Sequence, residues 1–263
     1  MMNLKIFIIS LQKSKRRTFQ LNQFKKLKLK FDFIDAVGIN NISQKSYDIL
    51  HRQWDRPLHL SEVACYKSHH LAWTKVQKLN KPALILEDDA YVSRDLPTIL
   101  KRLVLFKNID YINLENRCRK KYLSKTYSKI NDVYRLYSLY QDRTGAAGYI
   151  LWPNGASKLL ECEKKKGIAL ADAQISNCRS LISHQVEPTP IIQLDVAKYY
   201  EVEKTEFSDL SISSVYSKIR LRKSKTQVIK RVFSQLTLGL RHFLLLIISE
   251  KRFLEISRKE TFR

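Results

Sequence analysis

The chain has 263 residues, 44% hydrophobic and 28% charged, which leaves room for one large α/β domain or two small ones and excludes wholesale disorder. Lysine and arginine number 48 against 25 aspartates and glutamates, and the net charge of +23 calls for an acidic partner: nucleic acid, an anionic membrane or a phosphorylated substrate. Cys65, Cys118, Cys162 and Cys178 lie far apart with no C-x-x-C pair and no dense framework, so nothing points to disulfides or a zinc site and the four are read as reduced, cytoplasmic thiols.

Ile6 to Leu11 predicts a buried strand, and the absence of a cleavage-like site after it argues against a signal peptide. Lys13 to Leu29 has apolar residues at helical spacing, and Phe31 to Gly38 reads as a second strand stopped by glycine. A β-α-β opening predicts a parallel sheet. Residues 39–60 are polar and irregular. Ser61 and Glu62 open a helix that runs through Val76, and Lys81-Pro82 breaks it before a strand from Ala83. A helix over Leu96 to Phe106, a strand over Tyr111 to Leu114 and a basic loop over Arg117 to Lys129 follow. Tyr134 to Tyr140 predicts a hairpin strand, and Thr144 to Trp152 a small-residue approach into another. Helices over Gly155 to Lys165 and Leu170 to Ser180 precede an extended segment, Pro188 to Gln193. The sum is a single Rossmann-type α/β/α domain with a mixed, mainly parallel sheet over residues 1–215. Residues 216–263 differ in composition and predict a basic amphipathic helical appendage.

The strand from Ala83 ends in Glu87-Asp88-Asp89. Three adjacent carboxylates at the mouth of a sheet repel one another unless a cation joins them, and a hard Mn²⁺ or Mg²⁺ favours carboxylate oxygens with positions left open for a diphosphate. If strand geometry persists, Glu87 and Asp89 share a side and Asp88 faces away. The bland alternative is a solvated loop, since Asp commonly ends strands.

Five motifs occur in order: Ile8-Ile9-Ser10-Leu11 with Arg17, Phe33-x-x-Ala36-Val37-Gly38, Glu62-Val63-Ala64-Cys65-x-x-Ser68-His69, Ile85-Leu86-Glu87-Asp88-Asp89, and Gly145-x-x-Gly148-Tyr149. Over roughly residues 4 to 195 this order resembles glycosyltransferase family 25, the bacterial lipooligosaccharide galactosyltransferases and their collagen-modifying relatives. The resemblance implies a GT-A-like fold and a UDP-sugar donor held through Mn²⁺ or Mg²⁺. It implies Asp89 as principal metal ligand, with Glu87 facing ribose or metal and Asp88 beside them in the cofactor site. It also implies Ser10, Leu11, Arg17 and Ala36 as the nucleotide-facing set, with Ser68, His69 and Gly148 lining the cofactor site. Asp172 matches an acidic residue suited to act as the base of an inverting transfer, and Glu62 is the other candidate.

Each residue has a structural alternative: a solvated charge for Arg17, a hydrogen-bonded structural imidazole for His69, tight strand packing for Gly145 and Gly148, and a helix N-cap for Asp172. His184 is a third candidate metal ligand, with a surface loop as its alternative. Trp54, Tyr122, Tyr127, Tyr137 and Tyr140 are candidates to stack on acceptor sugars.

Beyond Tyr216 the chain carries Lys218, Arg220, Arg222, Lys223, Lys225, Lys230, Arg231 and Arg241 with no acid before Glu250. Val228, Val232, Phe233, Leu236, Leu240, Phe243 and Ile247 fall at helical spacing among them. A helix lying in an anionic membrane interface is one reading and a helix packed on the domain is the other; the apolar run Phe243 to Ile248 is too short to span a bilayer. With the family resemblance, the expectation is a peripheral enzyme at the inner face of the bacterial cytoplasmic membrane that moves a sugar, galactose by resemblance, to a lipid-linked lipooligosaccharide-type saccharide. No nucleic acid partner is expected. The rivals are a basic nucleic-acid-binding protein, favoured by the charge alone, and a catalytically inactive membrane scaffold.

Overall fold

A computed structural model describes residues 4–142, 145–202 and 225–262. Its centre is a nine-stranded mixed sheet in the order β12 (Ser249–Arg252), β7 (Lys121–Lys129), β8 (Arg135–Gln141), β10 (Ser183–Glu187), β5 (Tyr111–Asn113), β9 (Gly148–Leu151), β3 (Ala83–Glu87), β1 (Lys5–Ser10) and β2 (Asp32–Asp35). The opening is β1 (Lys5–Ser10), α1 (Arg16–Leu27) and β2 (Asp32–Asp35), then α2 (Gln44–Leu50), α3 (Leu60–Leu79) and β3 (Ala83–Glu87). Strands β2, β1 and β3 are mutually parallel, as the β-α-β reading predicts.

Period-two alternation along these strands builds a core on each face. Phe7 and Ile9 of β1 and Ile85 of β3 join Val63, Trp73 and Val76 of α3. Ile6 and Ile8 with Leu84 and Leu86 meet Phe24 of α1 and the apolar stripe of α4 (Leu96–Leu103). Helices α5 (Pro153–Lys166) and α6 (Ala171–Asn177) complete the α3 face. The arrangement is three layers, α/β/α.

Two expectations need correction. The sheet is not mainly parallel: beyond β3 only β5 (Tyr111–Asn113) and β10 (Ser183–Glu187) run parallel. β9 (Gly148–Leu151) lies antiparallel between β3 and β5, and β8 (Arg135–Gln141) is antiparallel to β10. The segment read as a basic loop is largely β7 (Lys121–Lys129), hairpin partner of β8. Its outer half is exposed, so lysines and serines there carry no hydrophobic alternation to betray a strand. A small second sheet, β4 (Ala90–Val92), β11 (Ile191–Gln193) and β6 (Glu115–Asn116), closes over the end of β3. The irregular stretch after β2 contains the short helix α2.

The division at residue 216 falls outside the described residues, as do Lys218, Arg220, Arg222 and Lys223. From residue 225 onward the chain is only partly an appendage. Helix α7 (Lys225–Ile248) runs along the domain, but β12 (Ser249–Arg252) pairs with β7 as the edge of the main sheet. Phe262 then plugs a core made with Phe19, Tyr91 and Ile192.

Helix α7 has its amphipathicity inverted. The side toward the protein is largely polar, Leu245 apart: Gln227 donates to the carbonyls of Arg52 and Trp54, Arg241 donates to that of Tyr140, and His242 stacks on Tyr122. The side toward solvent is apolar, with Phe233, Leu236, Leu240 and Phe243 each about two-thirds exposed. The helix as a whole is long and apolar enough to cross a membrane by length and composition, more than the Phe243 to Ile248 run alone indicates.

Candidate active site

The carboxylates divide as strand alternation predicts. Glu87 turns toward α3, where His69 Nε2 lies 3.0 Å from its Oε1. The other imidazole nitrogen is 2.9 Å from the Tyr149 hydroxyl, which also accepts from Trp73 Nε1 at 2.8 Å. A neutral His69 takes the Tyr149 proton at Nδ1 and a protonated one donates there; in both forms Nε2–H donates to Glu87. Burial, foremost, and neighbouring Glu87 raise the Tyr149 pKa, so it stays a neutral phenol. Burial opposes ionisation of Glu87, but the His69 hydrogen bond and charge prevail and hold its pKa below the ordinary carboxylate range.

Asp88 turns the opposite way, toward the first βα loop. Ser10 Oγ and Ser14 Oγ donate to it at 2.7 and 2.9 Å, and Arg16 Nη1 at 3.2 Å. Gln20 holds the carbonyls of Asp88 and Ala90 at 2.9 and 2.8 Å. This set fixes the turn between β3 and β4 and aims its neighbours; the Asp88 carboxylate and the Ser10 hydroxyl are spent on each other.

Asp89 is the one left over. Its carbonyl accepts from Leu194 N at 3.0 Å and Gln193 reaches its Oδ2 only at 3.5 Å, while Oδ1 is buried with no partner. Burial and then the Glu87 charge push its pKa up to about 7. Glu115, at the start of β6, joins the group: it accepts from Ala147 N at 2.8 Å, its Oε1 is also orphaned, and burial with Glu87 pushes its pKa up to about 8. Buried acceptors without donors cost free energy, as does crowding like charges, and a divalent cation removes both costs. Asp89, Glu87 and Glu115 thus offer the donor chemistry such an ion takes, with positive charge from Arg117 and Arg16 acting on Glu87, although among the described residues these three carboxylates do not all come within 4.8 Å of one another. Cys65, His69 and Glu87 do bring ligand atoms that close, but both nitrogens of His69 are already engaged and burial raises the Cys65 thiol.

Asp172 sits in the first turn of α6, whose N-cap is Leu170, so it is not the cap itself. Its Oδ1 accepts from Ala173 N at 2.7 Å. Burial, offset in part by that bond and increased by Glu87 and Asp142, pushes its pKa up to about 6. It lines a cleft with Tyr140, Asp142 and Arg241. Glu62 is committed elsewhere: both oxygens take the Arg56 guanidinium, at 2.8 and 2.7 Å, and one accepts from His59 N at 2.8 Å to close the start of α3. Burial raises its pKa, but those bonds outweigh burial and hold it below its usual value.

The other predicted residues scatter. Arg17 ties the carbonyl of Ser10 at 2.9 Å to Asp35 and packs over Phe33, keeping a buried, unpartnered Nε. Leu11 is 45% exposed on the same rim. Ala36 N bonds the Ser10 carbonyl at 2.9 Å, and Ser68 Oγ accepts from Val37 N at 2.9 Å, so both pin the exit of β2. His184 is not brought to the carboxylates: it lies within β10, in register with Ile112 of β5, three strands from β3. Of the aromatic residues, Tyr122 is covered by His242, Tyr127 and Tyr137 pair with each other, Trp54 stacks under Arg56, and Tyr140 reaches the cleft.

The two glycines serve packing. Gly145, at φ +103°, would set a Cβ 2.8 Å from the Glu115 carboxylate. A Cβ on Gly148 would stand 2.6 Å from Ile191 Cδ1, so this glycine lets the second sheet close over the first. Gly148→Ala is expected to cost about 1–3 kcal/mol in denaturant unfolding, as overpacking of a tight core does; unchanged stability would mean that Ile191 yields freely.

Glu115 and Arg117 are the site residues that sequence reasoning missed. Glu115 had a signal, since Tyr111 to Leu114, a predicted strand interrupted only by Asn113, ends in an acid as Ala83 to Leu86 does.

The model of glycosyltransferase family 25, described as LPS biosynthesis proteins, matches residues 3–174. A Haemophilus influenzae protein named "Putative glycosyltransferase" is 28% identical over 170 residues, which are 63% of this chain. The chain spans 60% of the length of that relative.

Proposed function

The chain belongs to glycosyltransferase family 25, and on that premise we propose that it transfers a sugar, galactose by resemblance, from a UDP-sugar to a lipid-linked saccharide with inversion at the anomeric carbon. The observation that carries this reading is the buried, unpartnered Oδ1 of Asp89 among carboxylates that crowd one another. Asp89, Glu87 and Glu115 would hold Mn²⁺ or Mg²⁺, which when bound offsets the charge that develops on the departing UDP. The three-layer α/β/α architecture is compatible with a GT-A-like domain.

The chain's own residues divide the remaining work. The Trp73–Tyr149–His69 relay orients Glu87, and the Ser10, Ser14 and Arg16 set fixes the turn that carries Asp89. Asp172, with a pKa of about 6, is ionised at neutral pH yet basic enough to accept a proton. It takes the proton from the acceptor hydroxyl as that oxygen forms its bond to the anomeric carbon and the bond to the UDP oxygen breaks. Glu62, held by Arg56, supports α3 instead. A screen of UDP-sugars with saccharide acceptors and Mn²⁺, with the anomeric configuration of the product read by NMR, tests the reading. Retention of configuration, or turnover indifferent to EDTA, would sink it.

Ionisation gives a pH signature. Asp89 and Glu115 are raised above their ordinary values of 3.8 and 4.5, so the fold favours their protonated forms. Their contribution to the stability of the metal-free protein is full below about pH 4 and is lost as pH rises through about 7 and 8. Mn²⁺ binds the ionised forms. Thermal melts are therefore expected to show little stabilisation by Mn²⁺ at pH 5 and a growing shift toward pH 8; a Mn²⁺ shift independent of pH would remove these carboxylates from the site.

Helix α7 supports a peripheral position at the cytoplasmic face of an anionic membrane. Gln227 anchors its start to Arg52 and Trp54, and Ser249 at its end is already in the sheet, so both ends belong to one domain surface. A helix tied at both ends lies along the membrane plane rather than across it. Lys225 and Lys230 stand exposed at its start to meet lipid phosphates.

A further inference from the structure

The cleft that holds Asp172 has a second chemical feature, unrelated to the carboxylate cluster. Two guanidinium groups converge on it from different elements, Arg179 from the turn after α6 and Arg241 from α7. Arg241 spends one donor on the Tyr140 carbonyl at 2.5 Å. No ion pair among the described residues gives either arginine a carboxylate; of the two acids that line the same cleft, Asp142 is taken by Lys121 at 2.6 Å and Asn113 at 3.0 Å, and Asp172 accepts from Ala173 N at 2.7 Å. The two are close enough that Arg179, after burial, disfavours the charge on Arg241.

Like charges held together at a partly desolvated cleft are unfavourable until an anion joins them. The planar fork of arginine matches the oxygens of a phosphate, and two forks from different directions suit one phosphate ester. Arg241 also lies on α7, the helix that carries the exposed apolar stripe, so the cleft adjoins the element proposed to meet the membrane. We propose that Arg179 and Arg241 form a phosphate-ester subsite that holds the acceptor next to Asp172. This rests on the glycosyl-transfer reading. The phosphate belongs either to the acceptor saccharide or to a lipid headgroup.

The experiment uses the full chain with UDP and Mn²⁺ saturating, so that the donor site is filled. Glucose 6-phosphate and glucose are titrated against wild type, Arg179→Gln and the double variant with Arg241→Gln. The same proteins are sedimented with vesicles of phosphatidylcholine alone and mixed with phosphatidylglycerol. Wild type is expected to prefer glucose 6-phosphate, and the double variant to lose about tenfold or more in that affinity, as removal of charge-assisted bonds does; this assigns the phosphate to the saccharide. Loss confined to the phosphatidylglycerol-dependent part of vesicle binding assigns it to a headgroup. If neither probe separates the variants from wild type, the subsite does not exist. UDP affinity is measured in each protein: retained affinity shows that the variant is folded, and the exposed Arg179 keeps the test readable should Arg241→Gln fail. Wild type that binds no UDP would overturn the transferase reading without deciding the phosphate result.

Discussion

Asp89→Asn is expected to lower UDP-sugar turnover by about a thousandfold and to abolish the Mn²⁺ dependence of UDP binding, because charge stabilisation by a bound cation is worth several kcal/mol and each 1.4 kcal/mol is about tenfold. The replacement keeps the size of the side chain. It also keeps the main-chain bond from Leu194 N to the Asp89 carbonyl, so the turn persists. What changes is the charge on an oxygen that has no other partner. The variant should moreover unfold at higher temperature than wild type at pH 8 without metal, since it deletes a carboxylate that the fold holds at a pKa of about 7. That pairing separates a functional site from a structural one: a residue serving only the fold would lose stability when altered. Full turnover in Asp89→Asn, or Mn²⁺-dependent UDP binding equal to wild type, would leave the cluster without its assigned role.

The second large effect is at the membrane. Phe233, Leu236, Leu240 and Phe243 lie at i, i+3, i+7 and i+10 on the outward face of α7, each 66–67% exposed. Burying a large apolar side chain is worth about 1.5–3 kcal/mol, so four that enter the interface only in part still contribute about 3–6 kcal/mol. Changing all four to serine is expected to weaken sedimentation with phosphatidylcholine–phosphatidylglycerol vesicles by about a hundredfold or more, while the thermal midpoint moves little because none of them packs on the domain. Raising salt tests the other contribution: the lysine-dependent part fades and the apolar part stays. Vesicle binding unchanged in the quadruple variant would take α7 off the membrane.

Much of the site was legible because it lies on regular elements. β1 and β3 are apolar runs with sharp ends, so strand alternation alone assigned Glu87 and Asp88 to opposite sides, and the structure puts His69 on one and Ser14 with Arg16 on the other. The partnerships were not legible. Nothing local to Glu62 announces Arg56, and nothing in Gly148 announces Ile191, which arrives from 43 positions later in the chain. His184 looked like a late ligand because sequence order carries no depth along a strand; its register with Ile112 places it mid-sheet. The hairpin β7–β8 went half unread for a related reason, since the outer half of β7 extends past β12 into solvent and has no apolar face there. Helix α7 misleads in the opposite sense. Its periodic apolar residues normally predict the buried side, and here they are the exposed one, a reversal visible only once Gln227, Arg241 and His242 are seen against the domain.

The strand after α7 has a practical consequence for anyone wanting a lipid-free enzyme. Because β12 completes the sheet edge and Thr261 and Phe262 lock onto Ser93 and Tyr91, a stop codon placed before α7 removes wall as well as handle. If α7 seats on lipid as proposed, a form that does not is to be made by repainting the outer face of the helix, because truncation would take part of the fold with it.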